Sequence, residues 1–447
     1  MNLKVIHLPF CFYPDPIGGT EVYVEALARQ LEKCGINTII AAPGETNQSY
    51  LYNQLKVRRF AISPQLNNLK EIYGEGDKLG AFEFSKILDE EQPDLIHLHA
   101  FTRGVSLSIV RLAKSRRIPV IFTYHTPTVS CQRGTLLQWG NQVCDGKIEL
   151  NKCTSCTLQG LGISKNIAQQ IIHIPPIVAR TLSHLNISGG IWTALQMREL
   201  VDSRHHAFHA LMSEVDHIIA VCNWVKNILI INQISLEKIT VIRQGLCQES
   251  LENFESTYND EKSDQALRLV FLGRLDHTKG VDILINAFLA KPRLNATLDI
   301  YGISQSTSTD SYQQQLHNLA KPDKRINFKS SVSAAQVVHT LKEYDLLAVP
   351  SQWLETGPMV VLEAFAAGIP VIGSNLGGIA ELVQHNVNGL LVEASSIKAW
   401  ADELQNLCDN KDKLENLKSV INPPQLMTVV AKEMNIIYRQ ILTLFAK

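Results

Sequence analysis

Two glutamates, Glu355 and Glu363, bracket the segment Glu355-Thr-Gly-Pro-Met-Val-Val-Leu-Glu363, which follows the apolar run LLAVPS and leads into Ala364-Phe-Ala-Ala-Gly368-Ile-Pro370. Pro358 suits the first helical position, where a missing N–H costs nothing, and Gly368 suits a left-handed helix stop. The spacing therefore predicts Glu355 in a loop and Glu363 inside the helix that follows. Backbone N–H groups in the stretch from Gly357 to Met359, with the helix dipole behind them, would present positive potential to a phosphate. Two carboxylates beside such a place are natural acceptors for sugar and ribose hydroxyls. Taken alone, the pair would read as a cap and a surface charge.

Other residues change that reading. Gly273-Arg274-Leu-Asp-His-Thr-Lys279-Gly280 ends a buried apolar run and opens a helical pattern. Arg274 and Lys279 fall where that loop opens, a suitable place for two cations to neutralise a diphosphate leaving group. Gly18-Gly19-Thr20-Glu21 forms a second glycine-rich turn into a helix, which lets backbone approach a ligand closely. His125 ends the run VIFTYH. A third cluster is of another kind: Cys131, Cys144, Cys153 and Cys156 are spaced C-x12-C-x8-C-x2-C, a pattern that fits a tetrahedral structural zinc site. The segment around them holds Gly134, Gly140, Gly146, Lys147 and Lys152, too polar to fold by burial, so a metal staple is expected there. His205, His206 and His209 have helical spacing and read as a polar helix face.

These residues need elements to hold them. Short apolar runs (LKVIHLPF, NTIIAAP, DLIHLHA, PVIFTYH, DHIIAVC, ITVIRQG) alternate with helical patterns in the first half, as strands buried on both faces of a parallel sheet do. The polar, acidic stretch 247–266 reads as linker. The alternation then restarts with LRLVFLGRL, TLDIYG, INFKSS, YDLLAVP, PVIGS and GLLVE. The expected organisation is α/β with two Rossmann-like domains: 1–246, carrying a cysteine-bearing helical insertion at about 127–215; 267–424; and a terminal helix, 425–447, returning toward the first domain. A ligand should bind at the carboxyl ends of the strands.

The chain has 447 residues, enough for two cores, and a formal net charge of −1, which gives nucleic acid no general attraction. Residues 1–243 carry 24 Lys+Arg against 20 Asp+Glu, a net of +4; the other 204 carry 18 against 23, a net of −5. An excess of four permits contact with an anionic acceptor or membrane surface and no more. The N-terminal apolar run reads as a buried strand rather than a leader, and no stretch approaches the ~20 apolar residues of a membrane span. A cytoplasmic protein, at most peripheral at the inner face of the membrane, is expected. Its nine cysteines should then be free or metal-bound rather than paired.

The loop GGTE, PDLIHLHA, the His125 strand end, FLGRLDHTKGVD and E-x7-E running into EAFAAGIPVIGSNLGGIAELVQHNVNGLLV together resemble the retaining GT-B glycosyltransferases of family 4 (glycosyl transferases group 1), including a subset with a cysteine-bearing insertion. The resemblance implies a GT-B fold, two Rossmann-like doubly wound domains facing a central cleft. It implies transfer of a sugar from a nucleotide-diphosphate-sugar donor to a carbohydrate or glycolipid hydroxyl, with retention at the anomeric carbon. Carried over by position, Arg274 and Lys279 contact the donor diphosphate, with Gly273 beside them. Glu355 and the backbone of Gly357, Pro358, Met359 and Val360 contact the transferred sugar, and Glu363 the ribose. His125 lies near the sugar and leaving group, and Gly18 and Gly19 against phosphate or acceptor. His125, Glu355, Arg274 and Lys279 form the catalytic set. No cofactor is required for catalysis on this reading, and the chain holds no Asp-x-Asp. Two positions depart from the pattern: IYGIS has only Gly302 where a glycine pair is usual, and Ser330 stands where glycine is frequent. Both positions lie near the base pocket that the resemblance implies. A GT-B phosphorylase, a sugar-nucleotide epimerase and a non-catalytic sugar-nucleotide-binding protein are the competing expectations.

Overall fold

The computed structural model describes residues 3–15, 18–64, 71–72, 74–140, 142–174, 181, 189–247, 266–303 and 307–445. Apart from its two end residues, the expected linker 247–266 lies outside them. The chain divides into two compact units, Met1–Arg243 with Val430–Lys447, and Gln244–Val429.

The first unit is built on strands β1 (Lys4–Leu8), β2 (Asn37–Gly44), β3 (Gln48–Tyr52), β4 (Leu55–Ala61), β5 (Leu95–Leu98), β6 (Val120–Tyr124), a two-rung hairpin β7 (Leu137–Gln138) and β8 (Gln142–Val143), then β9 (His217–Ala220) and β10 (Ile239–Val241). Eight of them form one sheet in the order β10-β9-β6-β5-β1-β2-β4-β3. Every pair is parallel except β3 with β4. The middle strands are buried end to end (Val5, Ile6, Leu8, Leu95, Ile96, Leu98, Val120, Ile121, Phe122), because helices cover both faces.

β3 and β4 are strands that the apolar pattern does not announce, since QSYLYNQLKVRRFA is half polar. The turn between them places Asn53 and Gln54 both at positive φ (45° and 69°), which suits the twist of a tight hairpin. The two arginines of β4 are neutralised from outside the strand: Arg58 by Glu90 and Glu91, Arg59 by Asp15 at 2.6 Å.

The second unit is a six-stranded parallel sheet, β11 (Leu267–Arg274), β12 (Ala296–Ile303), β13 (Ile326–Lys329), β14 (Leu346–Val349), β15 (Val371–Ser374) and β16 (Gly389–Val392), and all six were legible as apolar runs. Its order is β13-β12-β11-β14-β15-β16. Counted within the unit this is 3-2-1-4-5-6, the doubly wound order in which the chain reverses direction between the first strand and the fourth. In a doubly wound sheet the carboxyl ends of those two strands, here β11 and β14, are where a ligand is expected. Separate apolar cores fill the two faces, one around Phe288 and Trp400, the other around Val361 and Phe365.

Among the described residues no helix is long and apolar enough to cross a membrane.

Candidate active site

In the second unit the loops after β11 and β14 interlock. Asp276 caps the short turn His277–Lys279 by accepting from the Thr278 N–H at 2.9 Å. Gln352 N–H donates to the Thr278 carbonyl at 2.7 Å, tying one loop to the other. Gly280 follows with φ of +67°, and a Cβ there would lie 2.0 Å from the Pro350 carbonyl oxygen. Only glycine lets the two loops come this close.

That packing delivers Lys279 to Glu355. The ammonium lies 2.5 Å from Oε1 of Glu355, which also accepts from Ser351 Oγ at 2.9 Å and the Trp353 indole N–H at 2.8 Å. Glu355 is 7% exposed. Burial alone would raise its pKa, but Lys279, Trp353 and Ser351 together hold it below the ordinary glutamate value, so the carboxylate is ionised. The loop is pinned from the other side by Gly377 and Gly378. Gly378 N–H donates to the Glu355 carbonyl at 2.6 Å, and a Cβ on either glycine would lie 2.8 Å from that oxygen.

Pro358 is one position earlier than the spacing suggests. It is the N-cap (φ −68°, ψ 115°), and the helix runs Met359–Ala366, with Gly368 at φ +74° just beyond as expected. The Met359 and Val360 N–H groups have no carbonyl one turn back to bond, whereas the Val361 N–H donates to the Pro358 carbonyl at 3.0 Å. An added Cβ on Gly357 would come 2.9 Å from Gln244 Oε1. Glu363 lies on the helix, partly exposed, and burial pushes its pKa up to about 7. Arg274 ends β11 beside Gly273, half exposed and 3.7 Å from Asp276. Gly273, Arg274, Lys279, Glu355 and the 357–363 segment thus all occur at the carboxyl edge of β11 and β14.

In the first unit, Gly18 is the N-cap of the helix Gly19–Lys33, and its N–H donates to Glu21 Oε2 at 2.9 Å. A Cβ on Gly19 would meet nothing within 4 Å among the described residues. Internal packing therefore does not explain the glycine there. His125 follows β6 and is 3% exposed, with its Nε2 3.0 Å from His99 Nδ1.

The four cysteines Cys131, Cys144, Cys153 and Cys156 line one cavity of the first unit, with Lys147 and Lys152 among its walls. Burial pushes the Cys153 thiol up to about 11. The residues suit zinc in type and number. Yet the one group of three or more potential ligand atoms mutually within 4.8 Å, among the described residues, is His7, His97 and His99. The sulfurs would have to draw together to close on an ion.

Several residues of these sites were not singled out from the sequence. Ser351 and Trp353 flank Glu355 without any motif of their own. Gly377 and Gly378 stand in SNLGGIAEL, and it is their close approach to the backbone of 354–356, with Gly377 at φ +49°, that explains the pair. His97 and His99 did carry a signal: two positions apart on a buried strand, they must share a face.

Residues 255–420 match the family model described as Glycosyl transferases group 1, and residues 17–144 match Glycosyltransferase Family 4. Among curated proteins, the chain is 34% identical over 192 residues to a D-inositol 3-phosphate glycosyltransferase of Corynebacterium glutamicum, covering 39% of this chain and 44% of that protein. It is 29% identical over 185 residues to the putative glycosyltransferase YtcC of Bacillus subtilis, covering 39% and 46%. These matches span less than half the length of the relatives. Solved structures align over nearly everything: sucrose-phosphate synthase of Thermosynechococcus elongatus at TM-score 0.64 and 15% identity, covering 99% of this chain and 100% of that one, and Anabaena Alr3699/HepE in complex with UDP and glucose at 0.60 and 17%, covering 100% of both. The fold is that of the GT-B glycosyltransferases.

Proposed function

We propose, for a chain whose two halves each match a glycosyltransferase family and whose fold is GT-B, that it transfers a sugar from a nucleoside-diphosphate-sugar donor to an acceptor hydroxyl with retention of anomeric configuration. One observation carries most of the weight. Lys279 and the ionised Glu355 are paired at the switch point of the second unit's sheet, beside a helix N-terminus.

In this reading the second unit holds the donor. The diphosphate lies against Arg274, Lys279 and the N–H groups of the helix Met359–Ala366, which act as fixed positive charge as the leaving group departs. Glu355 accepts hydrogen bonds from the transferred sugar, and its three donors on Oε1 fix its orientation. Glu363 accepts from the ribose. Gly18 and Gly19 leave backbone accessible in the first unit, and His125 serves the reaction from there. Catalysis is then electrostatic and needs no metal. The acceptor is a carbohydrate or glycolipid; exposed Leu161, Ile167, Ile191 and Trp192 in the insertion would suit a lipid-bearing one at a membrane's cytoplasmic face. A structural zinc on the four cysteines is a separate part of the proposal, independent of turnover.

The deciding experiment is donor consumption over a panel of nucleotide sugars, with and without acceptor, followed by NMR of the product's anomeric centre. A retained configuration and acceptor dependence support the reading. Donor change without acceptor indicates an epimerase, transfer to inorganic phosphate a phosphorylase, and binding without turnover a non-catalytic protein.

A further inference from the structure

Gln244 is the first residue of the second unit, and the chain beside it is held as a strand would be. The Leu246 N–H donates to the Gln425 carbonyl at 2.9 Å, and the Met427 N–H to the Leu246 carbonyl at 2.8 Å, a single parallel bridge. A Cβ on Gly245 would lie 2.7 Å from the carbonyl carbon of Leu426, so the two segments touch backbone to backbone. Leu246 packs in one small apolar cluster with Leu362 and Ala366 of the helix Met359–Ala366. Gln244, two residues earlier, reaches the start of the same helix.

Gln244 is 8% exposed. Its Oε1 is buried and has no hydrogen-bond partner among the described residues. The amide lies over Gly357, where a Cβ would come 2.9 Å from Oε1 and 3.4 Å from Cδ. Gly357 is not at positive φ, so backbone conformation does not call for glycine there. The room left by its missing side chain is taken by the amide. A buried amide oxygen with nothing to accept destabilises the fold, and a ligand that brings a proton donor would relieve it.

The neighbours say what kind of ligand that is. The Met359 and Val360 N–H groups open the helix and by themselves would suit a phosphate. Oε1 of Gln244 would not, because a phosphate oxygen offers it no proton. Glu355, ionised in the same loop, is a second acceptor. A hydroxyl suits all of them, since it donates to an amide oxygen or a carboxylate and accepts from an N–H. It also suits the amide in either orientation, because the –NH₂ end would bond the hydroxyl oxygen.

We infer that Gln244 is a donor-binding residue whose amide hydrogen-bonds a hydroxyl of the transferred sugar beside Gly357. This rests on the proposed function and deepens it. The donor must carry a free hydroxyl at that place, and a sugar deoxygenated or capped there is disfavoured.

The test uses the full chain and Gln244→Leu, which keeps the volume and removes both polar atoms. Isothermal titration with UDP-glucose, UDP-N-acetylglucosamine, GDP-mannose and ADP-glucose, beside UDP, GDP and ADP, finds the sugar that binds. Gln244→Leu should weaken that nucleotide sugar about tenfold, the worth of one hydrogen bond, and leave its parent diphosphate unchanged. Analogues of the same sugar lacking one hydroxyl each form the second arm. One of them should bind the wild type about tenfold more weakly and bind both proteins alike. Equal loss for sugar and diphosphate, loss for neither, or no analogue that removes the difference overturns the inference and leaves the proposed function standing. Diphosphates that bind while no nucleotide sugar does so overturn it as well, and binding by none of the seven overturns both. Without ligand, Gln244→Leu should melt at or above the wild type. A clearly lower melting temperature would mean that the amide is partnered within the fold, and would contradict the premise.

Discussion

Glu355 is a carboxylate that the protein could not afford to bury alone. Removing one partner of a buried pair usually costs about 3–5 kcal/mol, because the other charge is left without compensation. Lys279→Met should therefore destabilise the protein by roughly 3 kcal/mol in urea denaturation, and Lys279→Met with Glu355→Gln together should recover part of it. A double variant no better than the single would mean the pair is not coupled. Glu363 behaves differently, since burial holds its pKa at about 7, above the ordinary 4.5. Between those values the folded state keeps a proton that the unfolded state has lost. Stability should then fall as pH rises from 4.5 to 7 and level off above, and this component should vanish in Glu363→Gln. Nucleoside diphosphate affinity should move oppositely, tightening through pH 7 as the carboxylate becomes a better acceptor for ribose hydroxyls. Isothermal titration at pH 6 and 8 checks it; equal affinities would remove Glu363 from the ribose.

At the scale of elements, two glycines separate structure from function. Gly280 sits at positive φ against the Pro350 carbonyl, so Gly280→Ala should cost about 2–3 kcal/mol and pull the Lys279 and Glu355 loops apart. Gly19 begins a helix, has an open Cβ direction and no positive φ. Gly19→Ala should leave the stability unchanged or raise it slightly, by about 0.5 kcal/mol, while lowering turnover if a ligand needs that space. Unchanged turnover would take Gly19 out of the site. The cysteine segment is a third element with its own test. Metal analysis of purified protein should return about one zinc per chain and four thiols shielded from a disulfide reagent until a chelator is added. Metal-free protein with all four thiols reactive would reject the site.

For the whole molecule, the two units should respond unequally to a donor. A nucleoside diphosphate at a hundred times its dissociation constant stabilises by about 2.7 kcal/mol. Hydrogen exchange should place that protection in residues 267–429, around β11, β14 and the helix Met359–Ala366. Protection confined to strands of the first unit would reverse the assignment of the donor.

Much of this was readable in residue order alone. The inner strands β14 (LLAV) and β15 (VIGS) are continuous buried runs, because a parallel strand covered on both faces has no polar side to show, whereas the edge strand β13 (INFK) alternates. Glu355, Glu363, Arg274 and Lys279 stand out because loop-to-helix punctuation by Gly273, Gly280, Pro358 and Gly368 marks where strands end, and strand ends are where ligands bind. The hairpin of β3 and β4 escaped notice, since its arginines are neutralised by acids from distant segments. Only the folded chain could show that Ser351, Trp353 and Lys279 converge on one oxygen of Glu355, or that Gly377 and Gly378 press on its carbonyl. The same holds for the histidines: their period is local, but which nitrogen faces which depends on how β1, β5 and β6 lie side by side. Sequence pattern reports the environment each residue prefers, which is short-range physics. Hydrogen-bond partners arise from contacts between segments up to hundreds of residues apart, and those exist only once the sheets have formed.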